Sequence, residues 1–399
     1  MSCCRSLPLP YVGEGVGVRI AYVTESFPPV VNGVAITAMR VAEHLVRRGH
    51  EPLVIAPEPA PGSARPDAEL CYPVARMPSV ALPVYPEFRV GLPGPQIRAA
   101  IAAHGADLVH LAGPVMFGAS GGTAARKLGL PVVAVYATDM AAYARTYHLG
   151  RLGERVSWAH TRRIHNAVDR TLSPSAATAA DLEARGFERV SVWGRGVDTQ
   201  RFDPAKRCEQ LRAELAPDGE LIVGYVGRVA AEKRLDLLAE VAALPGVRLV
   251  IVGAGPTEAQ AKRMLPTAQF LGQRQGDELA RMYASLDIFV HSGPHETFGN
   301  TLQEAAASGL PVIAPAAGGP LDLVEDGVTG YLVTPGDPTA LADAVAKLAA
   351  DWQLRAAQGI AARRSMLSRT WSSKGDELIG HYEAVLGRTG MPGVLGAAA

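Results

Sequence analysis

Residues 291–319 read HSGPHETFGNTLQEAAASGLPVIAPAAGG. The apolar run Ile288-Phe289-Val290 just before them has the character of the end of a buried strand. A Gly-Pro break and a polar loop follow, and the Ala-rich segment after them predicts a short helix from about Thr301 to Ser308. Gly309 stops that helix, and Pro311 to Ala314 reads as a second buried strand. A strand that runs through a polar loop into a helix N-terminus makes an anion site. The first backbone N–H groups of a helix lack partners and carry the positive end of its dipole. Gly299 lets a phosphate approach the backbone closely.

Glu296 and Glu304 bracket this turn, eight residues apart. On one continuous helix that spacing would rotate them about 80° from each other, so Glu296 is assigned to the loop and Glu304 to the helix. A carboxylate is repelled by a diphosphate, so neither is expected to touch phosphate. Each can instead accept hydrogen bonds from vicinal hydroxyls, Glu296 from a hexose and Glu304 from a ribose. The structural alternative for Glu304 is a capping box, Thr301-Leu302-Gln303-Glu304. For Glu296 it is a solvated loop acid.

The chain has 399 residues, enough for two domains with full cores. Its 39 basic and 39 acidic residues balance, so the total charge carries no nucleic-acid footprint and no such partner is expected. Cys3, Cys4, Cys71 and Cys208 form neither a CxxC nor a Cys/His cluster, which argues against a disulfide framework or a zinc site and fits a reducing cytosol. No apolar run is long enough to span a bilayer, and the opening MSCCRSLPLPYVGEGVG lacks the apolar core of a signal peptide. The expected localisation is therefore cytoplasmic, with residues 1–17 and 387–399 disordered.

Arg19 to Thr24 predicts a parallel-type strand that leads through residues 25–33 into a helix. Val34, Ala38, Val41 and Leu45 supply that helix with its apolar period, and Gly49 ends it. Leu53 to Ala56 is the next strand, so the chain opens βαβ. The glycine at this helix start, Gly33, belongs to neither GxGxxG nor GxxxxGK[ST], and on local evidence it is an ordinary turn glycine. Further strands are expected at Leu108–Leu111, Val132–Tyr136, Arg170–Leu172 and Val190–Val192. Residues 57–95, Pro-rich with Tyr72, Tyr85 and Phe88, read as one long loop.

A second αβ series begins at Leu221 and continues through residues 247–255, Gln269–Leu271, Asp287–Val290, Pro311–Ala314 and Tyr331–Val333. The predicted fold class is α/β, with two doubly wound domains, 18–198 and 211–367, joined by a polar linker at 199–210. A helix in 368–386 is expected to return to the first domain. Ligands of such sheets bind in the cleft outside the C-terminal strand ends. Arg228 and Lys233 follow the second domain's first strand at a spacing of five, suited to gripping a diphosphate. The alternative is a helix-start charge cluster with Glu232.

Together these segments resemble the retaining GT-B glycosyltransferases of family 4. The likeness runs through FPPVVNG (27–33), RGVD (195–198), GYVGRVAAEKRLD (224–236), VIVGAGP (250–256), FLG (270–272), the E-x7-E segment and DGVTGYLV (326–333). Within that family the chain is most similar in appearance to actinobacterial GDP-mannose-dependent α-mannosyltransferases that act on lipid acceptors. The resemblance implies that Gly33 caps the donor diphosphate, while Arg228 and Lys233 neutralise it from the other domain. It implies that Glu296 holds the transferred hexose and Glu304 the ribose. Phe298, Gly299 and Asn300, with Thr301 beside them, would bind phosphate through their backbone. No divalent metal or other cofactor is implied, in keeping with the lack of an Asp-x-Asp pair.

The departure lies at residues 135–139. Many relatives carry a histidine at the position of Ala137, near the transferred sugar. Asp139 or Tyr136 is the candidate substitute, and Asp139 thereby joins Arg228, Lys233 and Glu296 as a candidate catalytic residue; His110 and His148 are further histidines that could lie nearby. The implied reaction is front-face transfer of a hexose, mannose from GDP-mannose, to a lipid or glycolipid acceptor. The alternatives are a UDP-sugar enzyme of the same fold, a same-fold epimerase and a non-catalytic two-lobe ligand-binding protein. A lipid acceptor also implies a peripheral position at the inner face of the plasma membrane. On a helix over 150–168, Arg151, Arg155 and Arg162 would fall within about 40° of one another. Beside Leu152, Val156 and Ala159 they would form a basic face for anionic lipid; the alternative is a solvated helix face.

Overall fold

A computed structural model describes residues 17–30, 32–63, 66–82, 85–113, 117–137 and 150–387. Asp139, His148 and the segments 1–16 and 388–399 lie outside them. The first sheet contains β1 (Arg19–Val23), β2 (Glu51–Pro57) and β3 (Val74–Met77). After a hairpin of β4 (Ser79–Leu82) and β5 (Tyr85–Gly91), it continues with β6 (Leu108–Leu111), β7 (Val132–Val135), β8 (Arg170–Ser173) and β9 (Val190–Val192). Its order is β3-β2-β1-β6-β7-β8-β9. The second sheet holds β10 (Leu221–Val226), β11 (Val247–Val252), β12 (Gln269–Phe270), β13 (Ile288–Val290), β14 (Val312–Pro315) and β15 (Gly330–Val333), ordered β12-β11-β10-β13-β14-β15. Pairing within both sheets is parallel. The inner strands are buried on both faces, as sheets covered by helices on each side must be; β13 and β14 are buried throughout.

Strand order reverses between β1 and β6 and again between β10 and β13. At such a switch point the connections on either side leave in opposite directions and a crevice opens at the strand ends. The loops after β1, β10 and β13 all emerge there. These loops carry Gly33, then Arg228 and Lys233, then Glu296.

Residues 57–95 are not one loop. β3 extends the first sheet at its edge, and β4 pairs with β5 antiparallel. The strands are short, and prolines at 73, 78, 83, 86 and 93 break the alternation that would announce them. Pro86 lies within β5, which among the described residues pairs only with β4 in the hairpin, and an edge strand tolerates a missing N–H.

The helix Trp371–Val385 packs on Gly33–Arg47, and its Leu378 and Tyr382 join the core of the first domain with Val41, Leu45, Leu108 and Val133. Trp193 Nε1 donates to the Lys374 carbonyl at 2.8 Å, and His44 Nε2 meets Asp376 at 2.8 Å. Two crossings between domains lie side by side, with Val197 N donating to the Arg369 carbonyl at 2.9 Å. Among the described residues no helix is long and apolar enough to cross a membrane. In the helix Gly150–His165, Arg155, Val156 and Ala159 are exposed, but Arg162 donates to the Arg185 carbonyl at 3.0 Å. Arg162 stays exposed with that bond made, and the Arg151 side chain lies outside the described residues.

Candidate active site

Asn32 sets the start of the helix Gly33–Arg47. Its Oδ1 accepts from Ala35 N at 2.9 Å, and its Nδ2 donates to Ser26 Oγ at 2.8 Å, which ties the cap to the loop after β1. The helix Asn300–Ala307 faces it across the crevice. Gly299, with φ 103°, turns the chain into that helix through the left-handed region that favours glycine. Among the described residues no side chain caps this N-terminus, so its N–H groups and positive dipole end stay available. A Cβ on Gly33 would lie 2.9 Å from Asn300 Nδ2 and 3.5 Å from an Arg195 guanidinium nitrogen. Two helix N-termini thus converge on one point, and only glycine leaves room between them.

The helix starts one residue before the expected Thr301, and Thr301 is not its cap. Glu304 does not reach back to form a capping box. Its Oε2 accepts from the Tyr283 hydroxyl at 3.0 Å. Burial pushes the Glu304 carboxyl up to about 7.

Lys233 closes the short 3-10 turn Ala231–Lys233 after β10, and its Nζ lies 2.8 Å from Glu296 Oε2. The two side chains are only 22% and 19% exposed. Burial alone would discharge both. Their mutual attraction outweighs it, holding Glu296 down at about 2 and raising Lys233 above the ordinary lysine range. His291 Nε2 is 3.9 Å from the same carboxylate oxygen. Burial, aided by Lys233, pushes His291 down to about 4, so it is neutral at physiological pH. Arg228 pairs with Glu232 and so also takes part in the charge cluster.

The fold brings Gly33, Phe298, Gly299, Asn300 and Thr301 to one spot, with the Lys233–Glu296 pair in the same loop system and Glu304 one turn into the helix. Tyr136 packs in a separate buried cluster, with its ring parallel to Trp158 and edge-on to Phe187. His110 is likewise a core residue, stacked on Tyr22 and bonded through Nδ1 to the Tyr382 hydroxyl at 2.9 Å. Asp139 lies outside the described residues. Sequence reasoning missed Tyr283 and His291, since neither has a local spacing that links it to a glutamate. A cavity of about 560 Å³ opens beside the loop after β1, between Glu25, Glu58 and Arg89 on one side and Gln273 and Gln275 on the other.

Residues 31–201 match the family described as Glycosyltransferase Family 4, and residues 207–365 match Glycosyl transferases group 1. A Mycobacterium tuberculosis protein described as GDP-mannose-dependent alpha-mannosyltransferase is 50% identical over 376 residues, which cover 93% of this chain and 98% of that protein. A Corynebacterium glutamicum protein with the same description is 40% identical over 370 residues, 92% of this chain and 89% of its own. In structure the chain is similar to an Anabaena protein, HepE, solved with UDP and glucose (TM-score 0.73, 21% identity, covering 92% of this chain and 100% of that one). It is also similar to sucrose-phosphate synthase from Thermosynechococcus elongatus (TM-score 0.74, 21% identity, 93% and 100% covered).

Proposed function

This chain belongs to the glycosyltransferases of group 1 and family 4, and on that premise we propose that it transfers mannose from GDP-mannose to a lipid or glycolipid acceptor with retention at the anomeric carbon. The observation that carries the donor assignment is the likeness, along nearly the whole chain, to the mycobacterial and corynebacterial proteins. The site geometry supports it. A diphosphate between the N-termini of Gly33–Arg47 and Asn300–Ala307 meets two dipole ends, with Arg228 and Lys233 adding charge. Glu296, kept ionised by Lys233, accepts hydrogen bonds from hexose hydroxyls, and Glu304 accepts them from the ribose. The acceptor enters by the cavity beside the loop after β1. Its oxygen attacks the anomeric carbon on the face the diphosphate leaves, and the departing phosphate oxygen takes the acceptor's proton. Fixed donors stabilise the charge that develops on that phosphate. Incubation with labelled GDP-mannose and a lipid extract tests this reading. An α-linked mannolipid is the expected product; transfer from UDP-sugars alone, or sugar conversion without an acceptor, overturns it.

Glu304 makes donor binding depend on pH. Only its carboxylate accepts from both ribose hydroxyls. With a carboxyl at about 7, it is mostly protonated near pH 6 and ionised near pH 8. GDP-mannose, whose diphosphate diester does not titrate there, should bind roughly tenfold more tightly at the higher pH. Stability runs the other way: the folded carboxyl holds a proton that the unfolded chain releases near its ordinary value, so stability falls as pH rises through that of the folded group. Calorimetric titration of wild type against Glu304→Gln checks this, and the variant should bind weakly at both values. An equal slope in the variant removes Glu304 from the ribose site.

Turnover should persist in excess EDTA, because Lys233 and Arg228 supply the positive charge that a metal would otherwise bring. Complete loss restored by Mg²⁺ would count against this. At the membrane, Arg155 and Arg162, both exposed beside Val156 and Ala159, favour weak docking on anionic lipid, about 1 kcal/mol for each basic residue. Co-sedimentation with anionic vesicles should fall with added salt and fall again in an Arg155→Ala/Arg162→Ala variant. Equal recovery with neutral vesicles removes the electrostatic mechanism.

A further inference from the structure

Among the described residues, the loops around the meeting of the two helix N-termini carry three cations, and two of them already have carboxylate partners: Lys233 with Glu296 and Arg228 with Glu232. The third is Arg195, placed just after β9 where the chain leaves the first domain. Among the described residues Arg195 has no ion pair and no hydrogen bond from its side chain. Its guanidinium carbon lies 5.7 Å from the centre of the Phe298 ring. One of its terminal nitrogens is 3.5 Å from the point a Gly33 Cβ would occupy, and Asn300 Nδ2 is 2.9 Å from that same point. The Arg195 carbonyl accepts from Gln303 Nε2 at 3.2 Å, so its backbone is fastened to the helix that presents Asn300.

A partly buried guanidinium without an anion is costly. The positive ends of two helices aimed at the same place add to the cost. An anion lodged between them offsets that penalty, and the planar fork of an arginine suits phosphate oxygens better than a point charge does. Burial also works against the charge of Arg195, while Glu296 and Tyr22 favour it. The Phe298 ring that the guanidinium meets follows Glu296 by two residues, whereas Glu304 lies a turn into the helix, which puts the guanidinium toward the hexose end of the site, away from the ribose.

We propose that Arg195 is a third cationic contact for the donor diphosphate and grips the β-phosphate, the group that leaves with the nucleotide. This rests on the nucleotide-sugar reading above. It gives the first domain a charged hold on the donor beside the uncharged Gly33, so the donor's own phosphate draws the two domains together.

The test compares the affinity of each diphosphate with that of its monophosphate, GDP against GMP and UDP against UMP, in wild type, Arg195→Gln and Arg195→Lys, with guanosine and uridine as phosphate-free controls and kcat measured alongside. Wild type should prefer the diphosphate. In Arg195→Gln that preference should shrink about tenfold or more, nucleoside binding should hold, and kcat should fall more than KM rises. Arg195→Lys should recover part of the preference. A residue that merely packs on Phe298 would shift nucleoside and nucleotide together, so an unchanged diphosphate-to-monophosphate ratio in Arg195→Gln overturns the proposal. If Arg195→Gln does not fold, Arg195→Lys decides: a several-fold loss of the ratio supports the grip, and an unaltered ratio and kcat overturn it. Wild type that prefers the uridine series overturns the GDP-mannose reading, yet the same ratio still judges Arg195. No preference for a diphosphate in either series overturns both.

Discussion

Lys233→Ala is expected to lower kcat/KM for mannosyl transfer by roughly 10²–10³, the cost of removing one preorganised charge donor at a leaving oxyanion. The loss is compounded by what remains. Lys233 holds Glu296 ionised at 2.8 Å, so truncation leaves an unpaired carboxylate beside the donor phosphates. That carboxylate repels them in addition to the lost attraction. The double variant Lys233→Ala/Glu296→Ala removes the stranded charge and should regain thermal stability without regaining turnover. Arg228→Ala should cost less, roughly tenfold, because its side chain is 37% exposed and solvent screens it better than the 22% exposed Lys233. Steady-state assays with labelled donor, paired with calorimetry on GDP, measure both. Wild-type activity and nucleotide affinity in Lys233→Ala and Arg228→Ala together would remove the cation pair from the mechanism.

Glu296→Gln is expected to lower kcat by about 10²-fold while leaving GDP affinity unchanged or slightly tighter. The amide keeps the shape and one acceptor oxygen but loses the charge that binds hexose hydroxyls and stabilises an oxocarbenium-like centre. GDP has no hexose, so it feels only the loss of a nearby negative charge, and the sign for GDP is neutral to favourable. With the carboxyl at about 2, Glu296 stays ionised across the working range. The ratio of wild-type to variant kcat should therefore not change between about pH 6 and 8. A parallel fall in GDP affinity, or an unaltered kcat, would move Glu296 away from the sugar. Glu304→Gln is the contrast: it should weaken GDP and GDP-mannose alike, because both carry the ribose.

The alternation of buried apolar runs with helical periods was legible along most of the chain. Ile288–Val290, the Ala-rich helix and the strand after it stand close to where their composition puts them. Such patterns record burial over a few turns of local chain, and neighbouring residues suffice to specify that. The assignment of Glu296 to the loop and Glu304 to the helix followed from helical rotation alone. β3, β4 and β5 were not legible, since strands this short and this rich in proline owe their pairing to the edge and the hairpin they join rather than to their own alternation.

By itself, then, the sequence determined the two αβ series, the loop and helix that carry the paired glutamates, and the presence of cations after β10. Tertiary structure alone decided what those groups meet. Strand order places three loops at two switch points. Lys233 pairs with Glu296 across 63 residues, and Glu304 finds Tyr283 instead of its own helix cap. Arg195 comes to rest between two helix N-termini from different domains. Charge pairing and desolvation depend on distances through space. Side chains far apart in sequence share no period that could announce them, and a carboxyl at about 2 differs from one at about 7 only by the neighbour that packing supplies.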